Sequence, residues 1–121
     1  MKIVWIAVAG VLGTLSRYGL GLLLNKPDFP LGTLVINVLG CLLIGVVFSL
    51  FSNRIISDDL RAILATGFLG AFTTYSAFIM ESFALTTTKD WARLGAYFFG
   101  NLVFGFLAFL IGKTVGARYA I

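Results

Sequence analysis

The chain has 121 residues, of which 60% are hydrophobic and 12% charged, with a net charge of +4 and no histidine. A mean hydropathy of +1.02 leaves too few charges to cover the surface of a soluble domain, so a soluble enzyme or nucleic-acid-binding module is excluded and the chain reads as an all-α integral membrane protein. Without histidine the commonest proton shuttle and transition-metal ligand is missing, and the single cysteine, Cys41, rules out an intrachain disulfide.

Four apolar runs, about residues 3–24, 31–51, 60–85 and 91–116, each approach or exceed the roughly 20 residues that a spanning helix needs. Together they predict one four-helix transmembrane domain over residues 1–121, with no loop long enough to hold a catalytic domain. Met1-Lys2 resembles the start of a signal peptide, but the apolar run continues too far for one and is expected to remain as the first span.

Span one carries Gly10, Gly13 and, toward its far end, Arg17. At about 1.5 Å per residue the arginine stands roughly 20 Å along the helix. It can snorkel to the interface, attract an anion at a pore mouth, or pair with Glu81, the other charge within the spans. The connection Asn25-Lys26-Pro27-Asp28-Phe29-Pro30 places both prolines between helices, where neither interrupts hydrogen bonding.

Span two aligns Thr33, Asn37 and Gly40 on one face. An amide at membrane depth costs several kcal/mol if unpaired, so this face should meet protein or water. A structural interhelical hydrogen bond and a lined ion path both satisfy it. Ser52-Asn53-Arg54 ends the span, Ser57, Asp58 and Asp59 can cap the third, and Asp90 can cap the fourth.

Span three holds Gly67-Phe68-Leu69-Gly70-Ala71-Phe72-Thr73-Thr74-Tyr75-Ser76-Ala77-Phe78. Glycine lowers helix propensity, and threonine and serine hydroxyls compete for the backbone. We therefore expect a break at Gly70 to Thr74. Backbone freed at that depth is tolerated where it is buried in protein, binds an ion or lines a wet cavity. Close helix packing by a Gly and Thr face is the other reading. If the helix resumes after Thr74, Tyr75 and Phe78 share a face, and their positive ring edges offer weak attraction to an anion without a trapping charge. Glu81 lies toward the end of the span, where it suits either an interfacial ion pair or proton coupling. On span four, Tyr97, Asn101 and Gly105 repeat at four-residue spacing and form a second polar stripe.

Both termini and the middle loop carry Lys2, Arg54, Arg61, Lys113 and Arg118, against Lys26, Lys89 and Arg93 on the other side. Five against three orients the chain weakly, which makes insertion in both directions plausible. Two opposed copies would form an inverted pair about an in-plane two-fold axis.

Residues 10–18, 32–40 and 67–78, in that order on four spans, resemble the Fluc (CrcB) fluoride channels along essentially the whole chain. The resemblance implies an antiparallel dual-topology dimer in the plasma membrane, passively passing fluoride out of the cytoplasm. It implies a structural sodium ion held by backbone carbonyls of Gly70 and Thr73. It also assigns the ion path to Asn37, Tyr75, Phe78, Thr33, Ser76, Tyr97 and Asn101, with Arg17 at an aqueous vestibule. Two departures stand out: the family's Thr-Thr-Phe-Ser-Thr-Phe reads Thr73-Thr74-Tyr75-Ser76-Ala77-Phe78 here. They leave open a heterodimer in which each subunit keeps part of the lining. A small dual-topology, proton-coupled transporter of the multidrug type is the alternative class, with Glu81 as its only candidate carboxylate.

Overall fold

The computed structural model describes residues 1–119; the last two positions of the expected 1–121 domain lie outside the described residues. Helix α1 spans Lys2–Leu24 and ends at Asn25, whose backbone turns extended (φ −68°, ψ 134°) two residues before Pro27. Helix α2, Leu31–Ser52, starts directly after Pro30. Helix α3 covers residues 58–72 and α4 covers Tyr75–Thr87. Helix α5 is Trp91–Arg118. Taken together, α3 and α4 form one crossing, Asp58–Thr87, so among the described residues four helical segments are long and apolar enough to cross a membrane.

The caps follow local chemistry. Ser57 Oγ accepts the Leu60 N–H at 3.2 Å, Thr74 Oγ1 accepts that of Ala77 at 3.2 Å, and Asp90 accepts that of Arg93 at 3.1 Å. Each satisfies an N–H that the first helical turn leaves free.

The third crossing breaks over a narrower stretch than expected. Gly70 keeps right-handed helical geometry (φ −62°, ψ −33°), and only Thr73 (φ −81°, ψ 159°) and Thr74 (φ −146°, ψ 118°) are extended. Glycine does not break this helix. The threonines do: Thr73 turns its hydroxyl back to Leu69 O at 3.0 Å, and the Thr74 peptide is captured by a side chain of α2. Before the break, Ala62–Leu69 winds as a π-helix, a form associated with functional distortions of helices.

Glycines set the helix spacing. A side chain on Gly112 of α5 would run into the Leu42 carbonyl of α2, and one on Gly45 would meet the Phe109 carbonyl. Ser49 Oγ, on the same seam, donates to Lys113 O at 2.5 Å. Across the bundle, a Cβ on Gly67 would stand 2.9 Å from Ala9 Cβ, which seats α3 against α1. These contacts bury little of the apolar surface. Val8, Val11, Leu12 and Leu15 of α1 and Phe99, Val103, Phe106 and Ile111 of α5 point outward, as lipid or a partner subunit requires.

Candidate functional site

The site is built around the break. Asn37, from the second turn of α2, lies opposite Thr74 and replaces the helical bonds that the break removes. Its Oδ1 accepts Thr74 N–H at 2.9 Å and its Nδ2 donates to Thr74 O at 3.1 Å. The second Nδ2 hydrogen goes to Asn101 Oδ1 at 3.0 Å, and Asn101 Nδ2 donates to Tyr97 O at 2.9 Å on its own helix. The two asparagines thus form one polar chain through the membrane interior, each amide with partners as buried polar groups require.

That chain continues toward Glu81. Its two carboxylate oxygens accept the Thr33 hydroxyl at 3.0 Å and the Tyr97 hydroxyl at 2.6 Å. Arg17 does not pair with it. The Arg17 Nε donates instead to Ala71 O at 3.0 Å, at the end of α3, so the arginine fixes a carbonyl that the break would leave free. Among the described residues the ion pairs are Lys2 with Asp59, Arg61 with Asp58 and Arg93 with Asp90, all at chain turns or helix ends.

Three cavities adjoin this network. The first, about 360 Å³, is lined by Asn37, Gly70, Thr73, Thr74, Tyr75, Phe78 and Asn101, with Cys41 and apolar neighbours. The second, about 390 Å³, lies on the α1 side and meets Arg17, Asn25, Thr33, Thr74 and Glu81. The third, about 480 Å³, opens at the loops and is lined by Asn25, Lys26, Glu81, Asp90 and Arg93 among others. Tyr75 and Phe78 do share a face, their rings 6.0 Å apart and inclined at 54°. Phe78 is buried, whereas Tyr75 is 76% exposed. Carbonyls of Gly70 and Thr73 accept no hydrogen bond from the described residues.

The structure therefore brings Asn37, Tyr75, Phe78, Asn101, Gly70 and Thr73 to one cavity and Arg17 and Thr33 to another. Tyr97 lines none of the three; fully buried, it stands behind the wall and props Glu81. Ser76 is exposed and also lines none of them. Two residues take places that the sequence did not assign them: Glu81, expected in an ion pair or in proton coupling, accepts two hydroxyls beside the cavities, and Asn25 lines two of them. Glu81 stands seven residues after Thr74, two helical turns on, and that spacing would have placed it on the Thr74 face. Asn25 carries no such signal, because its partners lie across a tertiary contact.

A small multi-pass membrane protein with a discontinuous third crossing and an asparagine-clamped break is the class that this fold and site define. Residues 4–113 match the family described as "CrcB-like protein, Camphor Resistance (CrcB)". A protein of Nitratidesulfovibrio vulgaris called "Fluoride-specific ion channel FluC" is 45% identical over 119 residues, covering 95% of this chain and 96% of its own. Proteins with the same name from Nitrosococcus oceani (41% identical, 94% of each chain) and Thermosipho melanesiensis (40%, 96% of each) are similarly close. The chain belongs to the CrcB family.

Proposed function

We propose that this chain is a fluoride-selective channel that lets fluoride leave the cytoplasm passively through the plasma membrane, and that it is no enzyme. The family membership supports the channel reading, and the observation that carries it at the level of residues is the clamped break between two cavities. Fluoride is small and strongly hydrated, so a selective path must replace its water with donors. The chain supplies them as amides, hydroxyls, the Arg17 guanidinium and the edges of the Tyr75 and Phe78 rings. None is a free cation at the centre of the path. An anion reaching Asn37 competes with the Asn101 oxygen for an N–H that is already bonded, which keeps the site shallow enough to release the ion.

The working unit is a pair of oppositely inserted copies. The weak five-to-three distribution of basic residues supports this, as does Tyr75, a phenol exposed beside the break at membrane depth. A polar group so placed needs protein or water beside it. Sodium fits the same place. Unpartnered carbonyls at Gly70 and Thr73 are hard oxygen donors of the kind an alkali cation takes, and bound there the ion would offset their dipoles at the centre of the pair.

Proton-coupled export is the competing mechanism. Fluoride efflux from liposomes of the purified protein, with and without an imposed proton gradient, distinguishes them: a channel gives the same flux in both, whereas strict dependence on the proton gradient would replace this reading by a carrier.

A further inference from the structure

We propose that Asn25 is an anion-contacting residue of the channel mouth, its amide N–H meeting fluoride in the cavity that Arg17 also lines. The inference rests on the fluoride reading above and extends it to a residue of the α1–α2 connection.

The direction of the amide is set by its partners. Asn25 Oδ1 accepts the backbone N–H groups of Gly32 at 2.8 Å and Thr33 at 3.3 Å, at the start of α2. Only the oxygen can accept from two N–H groups, so the NH₂ must face the other way. It faces α1: Nδ2 is 3.7 Å from where a Cβ on Gly21 would lie, and Gly21 lines the second cavity with Arg17, Thr33 and Glu81. No described residue accepts a hydrogen bond from Nδ2. A donor of fixed orientation, on an exposed residue and with no protein partner, thus borders a cavity of about 390 Å³ and is open to a solute that enters it.

Its position is that of a threshold. Asn25 and Glu81 line both the second and the third cavity, so an ion moving between the α1-side space and the loop-side space passes this amide. Arg17 and Glu81, of opposite formal charge, both line the second cavity, and Glu81 is already held by Thr33 and Tyr97. With the formal charges balanced, neutral donors decide how the space treats an anion. Capping alone does not demand this residue, since aspartate caps a helix as well as asparagine. Aspartate would put a second carboxylate beside Glu81, where an anion must pass.

The test uses full-length protein in liposomes, reading fluoride efflux with an ion-selective electrode and dimer assembly by size-exclusion chromatography. Asn25→Asp keeps an oxygen at the reach needed to hold the start of α2, whereas Asn25→Ser, whose oxygen is one bond shorter, removes that hold together with the amide donor. We expect both to assemble, with flux falling several-fold in Asn25→Ser and about ten-fold or more in Asn25→Asp, the scale of a lost hydrogen bond to a charged group. Wild-type flux in an assembled Asn25→Ser overturns the proposal, even if Asn25→Asp is slow, because the loss would then be a distant charge effect. Should Asn25→Ser fail to assemble, wild-type flux in Asn25→Asp overturns it equally. Wild-type vesicles that pass no fluoride contradict the channel reading itself, and so the two failures are told apart.

Discussion

Asn37 and Thr74 are joined as two peptide groups in a ladder would be: the side-chain oxygen takes the threonine N–H at 2.9 Å and the side-chain nitrogen gives to the threonine carbonyl at 3.1 Å. A helix can be interrupted at membrane depth only if the freed groups find partners. One side chain provides both, and its remaining hydrogen ties the break to Asn101 on α5.

Substituting Asn37 therefore acts on the break and on the path together. Asn37→Ala leaves the Thr74 N–H and carbonyl unpaired, at a cost of about 1–3 kcal/mol for each buried group. Asn37→Asp keeps an acceptor for the N–H but loses the donor and adds a repelling charge. Both should impair fluoride efflux from liposomes, with Asn37→Asp retaining the dimer; normal flux in both variants would remove Asn37 from the path.

The Tyr75 hydroxyl makes no hydrogen bond with the described residues, while its ring keeps the contact with Phe78. Tyr75→Phe should thus preserve fluoride efflux to within about two-fold, less than one neutral hydrogen bond is usually worth. Abolished efflux would show that the phenol itself is needed.

The α2–α5 seam predicts a sharp contrast between glycines. Gly112→Ala drives a methyl group into the Leu42 carbonyl, a backbone atom that cannot swing aside, whereas nothing lies within 4 Å of a Cβ on Gly95. Overpacking of this kind costs about 1–3 kcal/mol. Thermal unfolding in detergent should show Gly112→Ala clearly below wild type and Gly95→Ala close to it; equal midpoints would contradict the seam.

Gly70→Val tests the carbonyl site. A Cβ at Gly70 meets only the Ala65 carbonyl, at 3.4 Å, so the chain itself tolerates the change better than a crowded centre of two copies would. Chromatography should show weakened dimers, and weaker stabilisation by sodium over a bulky organic cation. An intact dimer with unchanged sodium dependence would count against the cation.

Four crossings were legible because each is an apolar run bounded by prolines, Asn or Asp, and the caps Ser57 and Asp90 stand where local chemistry puts them. The break was legible too, as an excess of Gly and Thr, but only the threonine half of that signal holds: Gly70 stays helical while Thr73 and Thr74 are extended, and the side chain that pairs the opened backbone lies 37 residues away. Arg17 and Tyr97 show the same limit. Their polarity showed that each needs a partner, but not which one: Arg17 borders a cavity and also holds the Ala71 carbonyl, and Tyr97 is buried against Glu81. Polarity at membrane depth says that a partner exists; which partner depends on helix packing.

Electrogenic fluoride efflux from liposomes containing this purified chain and no other protein tests the central claim most directly. With a potassium gradient and a potassium ionophore to balance charge, the account predicts rapid efflux that stops when the ionophore is withheld. Vesicles that hold their fluoride with the ionophore present, although the reconstituted protein is dimeric, would contradict it.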